Sequence, residues 1–187
     1  MKKVMAVLLS LALLLGCAAA AETAEKEEIG KVGSVDIYGA FSLKCRIPEG
    51  YRFVIEDQDT TGLSAKLASE EAGTPEVSLT IAFNEEWAGV ERLNDATEED
   101  MEAIRDSFLE VDDGLVFEER ETAYGTKLLV VRKLDEEGNI TFEDVYTNYK
   151  GYEIEFVMYP AEGTFLTEEN TGMMVDFLSE MDFVPVN

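Results

Sequence analysis

The run Ile140-Thr141-Phe142-Glu143-Asp144-Val145-Tyr146-Thr147-Asn148-Tyr149, then Lys150-Gly151, then Tyr152-Glu153-Ile154-Glu155-Phe156-Val157-Met158-Tyr159, decides the fold. Both halves are rich in the aromatic and β-branched residues that suit a pleated strand. Lys150-Gly151 places a glycine where a tight hairpin needs positive φ, so the halves must pair antiparallel. The same reading extends upstream to strands near 127–134 and 116–122, joined through Glu137-Gly138-Asn139 and Tyr124-Gly125. Connections this short make a meander, because parallel crossovers need about a dozen residues or more each.

Before the meander, alternation of period two marks further strands. Phe41, Leu43, Cys45 and Ile47 alternate with Ser42, Lys44 and Arg46, and Pro48-Glu49-Gly50 turns the chain into a second run, Tyr51 to Ile55. Leu63, Ala65 and Leu67 give a third strand, and Val77, Leu79, Ile81 and Phe83 alternate with Ser78, Thr80 and Ala82 in a fourth. One face of each is read as core and the other as polar. Thr97, with Glu98, Glu99 and Asp100 behind it, caps a helix whose Met101, Ile104, Phe108 and Val111 follow at helical spacing. A last helix opens at Thr167, with Met173, Met174, Phe177, Leu178 and Met181 as its apolar stripe, and Phe183-Val184-Pro185 returns the chain to the domain. Strands, helix, meander, helix predict an α+β domain: an antiparallel sheet of about 6–8 strands with helices packed on its faces.

The amino terminus carries an address. Lys2 and Lys3 precede an apolar run from Val4 to Leu15, too short to span a bilayer as a mature helix, and small residues follow it. Leu14-Leu15-Gly16-Cys17 resembles the bacterial lipobox. That resemblance implies cleavage after residue 16, a diacylglyceryl thioether on Cys17 and an extracytoplasmic domain held on the outer face of the cytoplasmic membrane or on the outer membrane. Ala18-Ala19-Ala20-Ala21 also suits ordinary cleavage before Glu22, which would make the protein secreted. The organisation expected is a signal peptide over 1–16, an acidic flexible linker over 17–34 and one domain over 35–187.

The chain of 187 residues holds 15 Lys+Arg against 40 Asp+Glu, a formal charge of −25, and loss of Lys2 and Lys3 deepens it. Such a field repels nucleic acid and anionic headgroups and favours a basic partner. A hydrophobic fraction of 46%, with ten Phe and seven Tyr, suffices for a packed core. Beyond Cys17 the one cysteine is Cys45, read as a buried structural thiol, so a lipidated chain has no intramolecular disulfide.

Histidine is absent. That excludes Ser-His-Asp and Cys-His catalysis and His-ligated zinc. No Ser-x-x-Lys, G-x-S-x-G or G-x-x-x-x-G-K-[ST] pattern is present. Asp57-Gln58-Asp59-Thr60-Thr61-Gly62 matches the first half of a calcium loop, with Asp57, Asp59 and Thr61 as weak candidate ligands. Ala68 stands where the bidentate acid should be, so an Asp/Gly hairpin turn is the expected reading. Asn139-Ile140-Thr141 fits a glycosylation sequon that an exported bacterial lipoprotein has little reason to use. Glu85-Glu86-Trp87 sets acids beside the single Trp, as sugar sites often do, though Trp87 is read first as a partly buried loop anchor.

The strand Phe41 to Ile47 with Pro48-Glu49-Gly50-Tyr51, the hairpin Tyr149-Lys150-Gly151-Tyr152-Glu153-Ile154 and the closing amphipathic helix resemble the PsbP/Mog1-like domains of many small bacterial lipoproteins. The resemblance covers roughly residues 35 to 187. It implies an αβα sandwich and a role in binding proteins or assembling complexes, usually without catalysis or cofactor. Function is therefore expected to be that of a membrane-anchored binding module for a protein or small molecule, through exposed aromatics among Trp87, Tyr124, Tyr146, Tyr149 and Tyr159. The alternative is a glycosidase-like, carboxylate-based hydrolase, which requires two inward-facing acids in a cleft with one held protonated by burial.

Overall fold

Eleven strands and two α-helices are placed along the described residues, which in this computed structural model are 27–29, 32–37, 41–59, 62–69, 71, 73–122, 125–179 and 182–185. In chain order they are β1 (Glu27–Ile29), β2 (Val32–Ile37), β3 (Phe41–Arg46), β4 (Tyr51–Gln58), β5 (Gly62–Ser69), β6 (Glu76–Phe83), α1 (Glu98–Leu109), β7 (Leu115–Glu121), β8 (Lys127–Leu134), β9 (Ile140–Tyr149), β10 (Tyr152–Tyr159), α2 (Glu168–Ser179) and β11 (Asp182–Pro185). Eight strands form one antiparallel sheet in the order β1-β4-β5-β6-β10-β9-β8-β7, and β11-β3-β2 form a second, smaller one.

The β9–β10 hairpin is the middle of the large sheet. Lys150 (φ 53°) and Gly151 (φ 80°) both take positive φ, the backbone of a two-residue hairpin turn whose twist matches that of the strands. Tyr152 pairs with Tyr149, and β10 closes the sheet by pairing with β6, Tyr152 against Phe83 through Tyr159 against Glu76. At Gly151 a Cβ would stand 2.8 Å from the Ala88 Cα, so close approach as well as φ demands glycine.

Period-two alternation sends the strands' side chains to two different cores. On one side Leu128 and Val130 of β8, Val145 and Tyr149 of β9, and Ile154, Phe156 and Met158 of β10 join Val77, Leu79 and Ile81 of β6. Met174 and Phe177 of α2, with Ile37 and Phe41 of the small sheet, cover that layer. On the other side Leu129 and Val131 of β8 and Tyr146 of β9 meet Met101, Ile104 and Phe108 of α1, with Leu93 beside them. Each such buried side chain contributes about 1.5–3 kcal/mol relative to exposure. Helices therefore lie on both faces, and β8 to β10 carry buried residues on both sides, where one-sided strands were expected.

Both helix starts follow from their caps. Thr97 Oγ1 accepts from Asp100 N (3.2 Å) while Thr97 N donates to Asp100 Oδ2 (2.8 Å), a capping box that holds the Asp100 carboxyl below the usual range. Thr167 N donates to Asn170 Oδ1 (2.9 Å) at the head of α2.

Three expectations need correction or placement. The stretch 17–34 was read as linker from its charge, yet β1 pairs with β4 from Glu27 against Ile55, and β2 begins at Val32, so the domain starts before Val35. Val111 lies past the end of α1, outside its buried stripe. Cys17, Thr61, Tyr124 and Met181 lie outside the described residues, as do the side chains of Cys45 and Leu178.

Candidate functional site

Glu143 and Asp144 are consecutive on β9, so the pleat sends them to opposite faces. Both are buried, with 0% and 3% of their surface exposed. Each keeps one oxygen, Glu143 Oε1 and Asp144 Oδ1, without a hydrogen-bond partner, but the charges around them differ.

Glu143 faces α2 and is neutralised. Arg132 Nε donates to Glu143 Oε2 at 2.6 Å, and Thr171 Oγ1 donates to the same oxygen at 2.6 Å while accepting from Arg132 Nη2 at 3.0 Å. Arg132 also reaches Glu118 and Glu168, and Arg120 pairs with both of those acids. These arginines hold the Glu118 and Glu168 carboxyls below the usual range, the Arg120 hydrogen bond being the largest cause in each. The cluster ties α2 to β7, β8 and β9.

Asp144 faces the α1 side, where the charges acting on it are all acids. Burial, then Glu155, Glu143 and Glu153, push its carboxyl well above the usual aspartate range. Its Oδ1 has no hydrogen-bond partner. On the same face of β9 follow Tyr146, 2% exposed, and Asn148, 3% exposed, whose side chain lies against the Tyr146 hydroxyl. Leaving a buried carboxylate oxygen unsatisfied costs about 1–3 kcal/mol.

β10 supplies the other half of this polar belt. Glu155 stands opposite Tyr146 and Glu153 opposite Asn148. The Tyr146 hydroxyl donates to Glu153 Oε1 at 3.4 Å. Burial raises the Glu153 carboxyl, while Asn84, Tyr146 and Trp87 side chains donate towards it and pull it the other way. Burial also raises the Tyr146 phenol well above its ordinary value, with Glu153 and Glu155 adding to the effect.

A strap, residues 84–95, lays Trp87 beside Glu153. Asn84 N donates to Gly151 O (2.9 Å) and Lys150 N donates to Glu91 O (2.9 Å), clamping the strap to the hairpin turn. Asn84 Oδ1 accepts from Glu86 N at 3.0 Å and starts a short 3₁₀ turn, Glu85–Trp87. Trp87 is half-buried against the α1-side core. Glu153 is half-buried like Trp87, so the belt reaches solvent only at this corner.

The expected aromatic patch is not formed by the residues named for it. Tyr146 is buried under Phe108, ring centroids 6.0 Å apart. Tyr149 is also buried, edge-on to Phe41 at 5.0 Å, with Arg92 and Lys150 over its ring at 5.7 and 5.5 Å. Both are corrected to core residues: the meander's central strands are covered on both faces. Tyr159 is half-buried against Phe142 (5.5 Å) at the end of β10 away from Trp87. Phe83, which alternation placed on the core face, is 45% exposed and packed on Tyr152 at 5.2 Å, and Phe165 is 49% exposed.

Asp59 builds a turn: its N donates to Gly62 O (3.1 Å) and its Oδ1 accepts from Gly62 N (3.2 Å). Asp57 is exposed next to a β-bulge. Among the described residues no group of three or more Asp, Glu or Cys is placed to share a metal ion. A surface depression of about 270 Å³, lined by Asn94, Glu119, Arg120, Glu121 and Lys127, lies on β7 and β8 away from the belt.

The acids of the belt were not picked out from the sequence. Its one legible signal is that Asp144, Tyr146 and Asn148 share a strand face, as do Glu153 and Glu155. Compared with known proteins, the chain matches no protein-family model, no curated protein and no solved structure.

Proposed function

We propose that this chain is a lipid-tethered, non-catalytic binding module that works outside the cytoplasm and recognises a basic partner through the acid belt. The observation that carries the reading is the chain's formal charge of −25, with Glu85 and Glu86 exposed beside Trp87 where the belt reaches solvent. A binding surface built this way attracts cations at range and weakens as salt screens it. Cys17 would bear the diacylglyceryl anchor, and the residues after it would carry the domain off the membrane. Helices on both faces of an antiparallel sheet support the PsbP/Mog1-like reading, in which binding and assembly are the usual roles.

Capture from native membranes with the lipid-anchored chain tests the function. A basic protein retained at low salt and released at moderate salt is expected; capture indifferent to salt, or of acidic partners alone, would overturn it. Mass spectrometry of the membrane fraction tests the tether. A diacylglyceryl-modified chain beginning at Cys17 is expected, and an unmodified chain beginning at Glu22 would remove it.

A carboxylate-based hydrolase is the second reading, favoured by one observation. Asp144 is held towards its protonated form beside other acids, the asymmetry that acid–base catalysis needs. Turnover of a chromogenic glycoside that Asp144→Asn abolishes would support it; no turnover by the folded chain would dismiss it.

A further inference from the structure

We propose that the free edge of β7 takes up one extended segment of a partner protein as an added strand of the large sheet, antiparallel to β7, with basic residues at the segment's amino-terminal end and apolar ones behind them. The partner's basic character rests on the binding-module reading; the strand pairing does not.

β7 is the last strand of its sheet and pairs with β8 alone. At the head of that hairpin Thr122 N donates to Thr126 O at 2.9 Å, and the register then runs unbroken from Glu121 against Lys127 to Leu115 against Lys133. Alternation from that bond aims the N–H and C=O groups of Val116, Glu118 and Arg120 at β8, and those of Leu115, Phe117, Glu119 and Glu121 away from the sheet. Natural edges are blunted by proline, a bulge, a very short strand or charge. β7 has seven residues with no Pro, Gly or register shift, whereas β1 on the opposite edge has three among the described residues. What guards β7 is charge: Glu118, Glu119 and Glu121 beside Arg120. That charge selects the occupant. A second copy brings the same acids and a formal charge of −25, and is repelled; a basic segment is attracted.

The bases beside the edge are already engaged. Arg105 and Lys127 pair with Glu119, and Arg120 pairs with Glu118 and Glu168. Glu121 is exposed, and so is Glu102 on the stripe of α1 that carries Glu98 and Arg105; neither is paired with a base among the described residues. At this end of β7 lies the depression of about 270 Å³ lined by Asn94, Glu119, Arg120, Glu121 and Lys127, which has room for one lysine side chain. Its wall is fixed, because Asn94 Nδ2 donates to Gly125 O (2.8 Å) and Asn94 Oδ1 accepts from Lys127 N (3.0 Å). Towards Leu115 the strand turns apolar, with Val116 45% exposed and Leu115 and Phe117 half-buried. Main-chain hydrogen bonds supply the affinity of such an added strand, and the unlike ends of β7 set its direction.

The experiment adds to the full chain the peptide acetyl-Lys-Thr-Lys-Thr-Val-Thr-Val-amide, a control with Glu in place of both Lys, and a form N-methylated at the residues that would face Glu119 and Phe117. Amide hydrogen exchange in β7 is read by NMR, and affinity from the accompanying peak shifts. In the free chain Phe117, Glu119 and Glu121 should exchange fast and Val116, Glu118 and Arg120 slowly; the lysine peptide should slow the first set and leave the second unchanged. The N-methylated form, with two main-chain bonds removed, should bind about tenfold more weakly. Glu121→Lys should weaken the lysine peptide and strengthen the glutamate one, while slow exchange at Glu118 and Arg120 reports that β7 is still paired. Binding without the alternating protection, or equal binding of the N-methylated form, overturns the edge. Equal binding of the glutamate peptide overturns the basic occupant. Protection of the outward amides as the chain alone is concentrated makes a second copy the occupant and overturns the partner. No binding of the lysine peptide overturns the added strand, while salt-sensitive capture of a basic protein from membranes would still stand for the module.

Discussion

Glu143 and Asp144 are neighbours on one strand, and each is buried, but one is neutralised and the other is surrounded by its own sign. On the α2 side an arginine and a threonine converge on a single carboxylate oxygen, and the surrounding acids are drawn into the same cluster. On the α1 side the charges acting on Asp144 are Glu155 and Glu153, with Glu143 behind the strand. The difference teaches which acids do structural work. A compensated buried carboxylate anchors a helix; an uncompensated one stores electrostatic free energy that a proton or a ligand can release.

The largest expected effect breaks the compensated side. Arg132→Met should destabilise the domain by about 3–5 kcal/mol at neutral pH, because Glu143 is left as an unpaired buried charge. Urea unfolding of the variant checks it. Loss below about 1 kcal/mol would mean that Glu143 does not depend on its arginine.

Asp144→Asn should act in the opposite direction and stabilise the protein at neutral pH, by about 1.4 kcal/mol for each unit by which the native carboxyl is raised. The signs separate the two faces. Asp144 binds its proton more tightly folded than unfolded, so its contribution is fully present below the ordinary aspartate value and is lost as pH rises through the raised one. Glu118 and Glu168 bind theirs less tightly folded, so their contribution is present above the ordinary glutamate value and is lost as pH falls through the lowered one. Melting temperature against pH should therefore show an acidic maximum in the native chain, and a flatter alkaline limb in Asp144→Asn.

Smaller effects sharpen the contrast. Thr97→Ala removes half of the α1 capping box and should lose about 1 kcal/mol by thermal unfolding, with no change in the alkaline limb. Glu168→Gln touches a largely exposed carboxylate, so a loss of about 0.2–1 kcal/mol is expected, fading as salt is raised.

Much of the fold was legible in the sequence. Gly151 marked the central hairpin, and Val77, Leu79 and Ile81 gave β6 through strict alternation. Thr97 with Asp100 announced α1. The strand β1 was hidden because Glu27 and Glu28 look like linker; their place is set by pairing with β4, a tertiary fact. The two-sided burial of β9 was hidden for a similar reason. Tyr146 and Tyr149 fall on opposite faces of one strand, and alternation cannot say that a helix covers one face and a second sheet the other. Among forty acids no local pattern distinguishes Asp144 from Glu143. Only tertiary neighbours separate them: Arg132 stands opposite Glu143, while Asp144 has Val131 and Val157 opposite it and Glu155 and Glu153 further along β10.

The most direct measurement is the titration of the Asp144 side-chain carboxyl by carbon-detected NMR in the native chain, assigned by its loss in Asp144→Asn. A midpoint well above the ordinary aspartate value is the result expected. A midpoint at or below the ordinary value would contradict the account, because Asp144 would then carry a charge that something in the fold already balances.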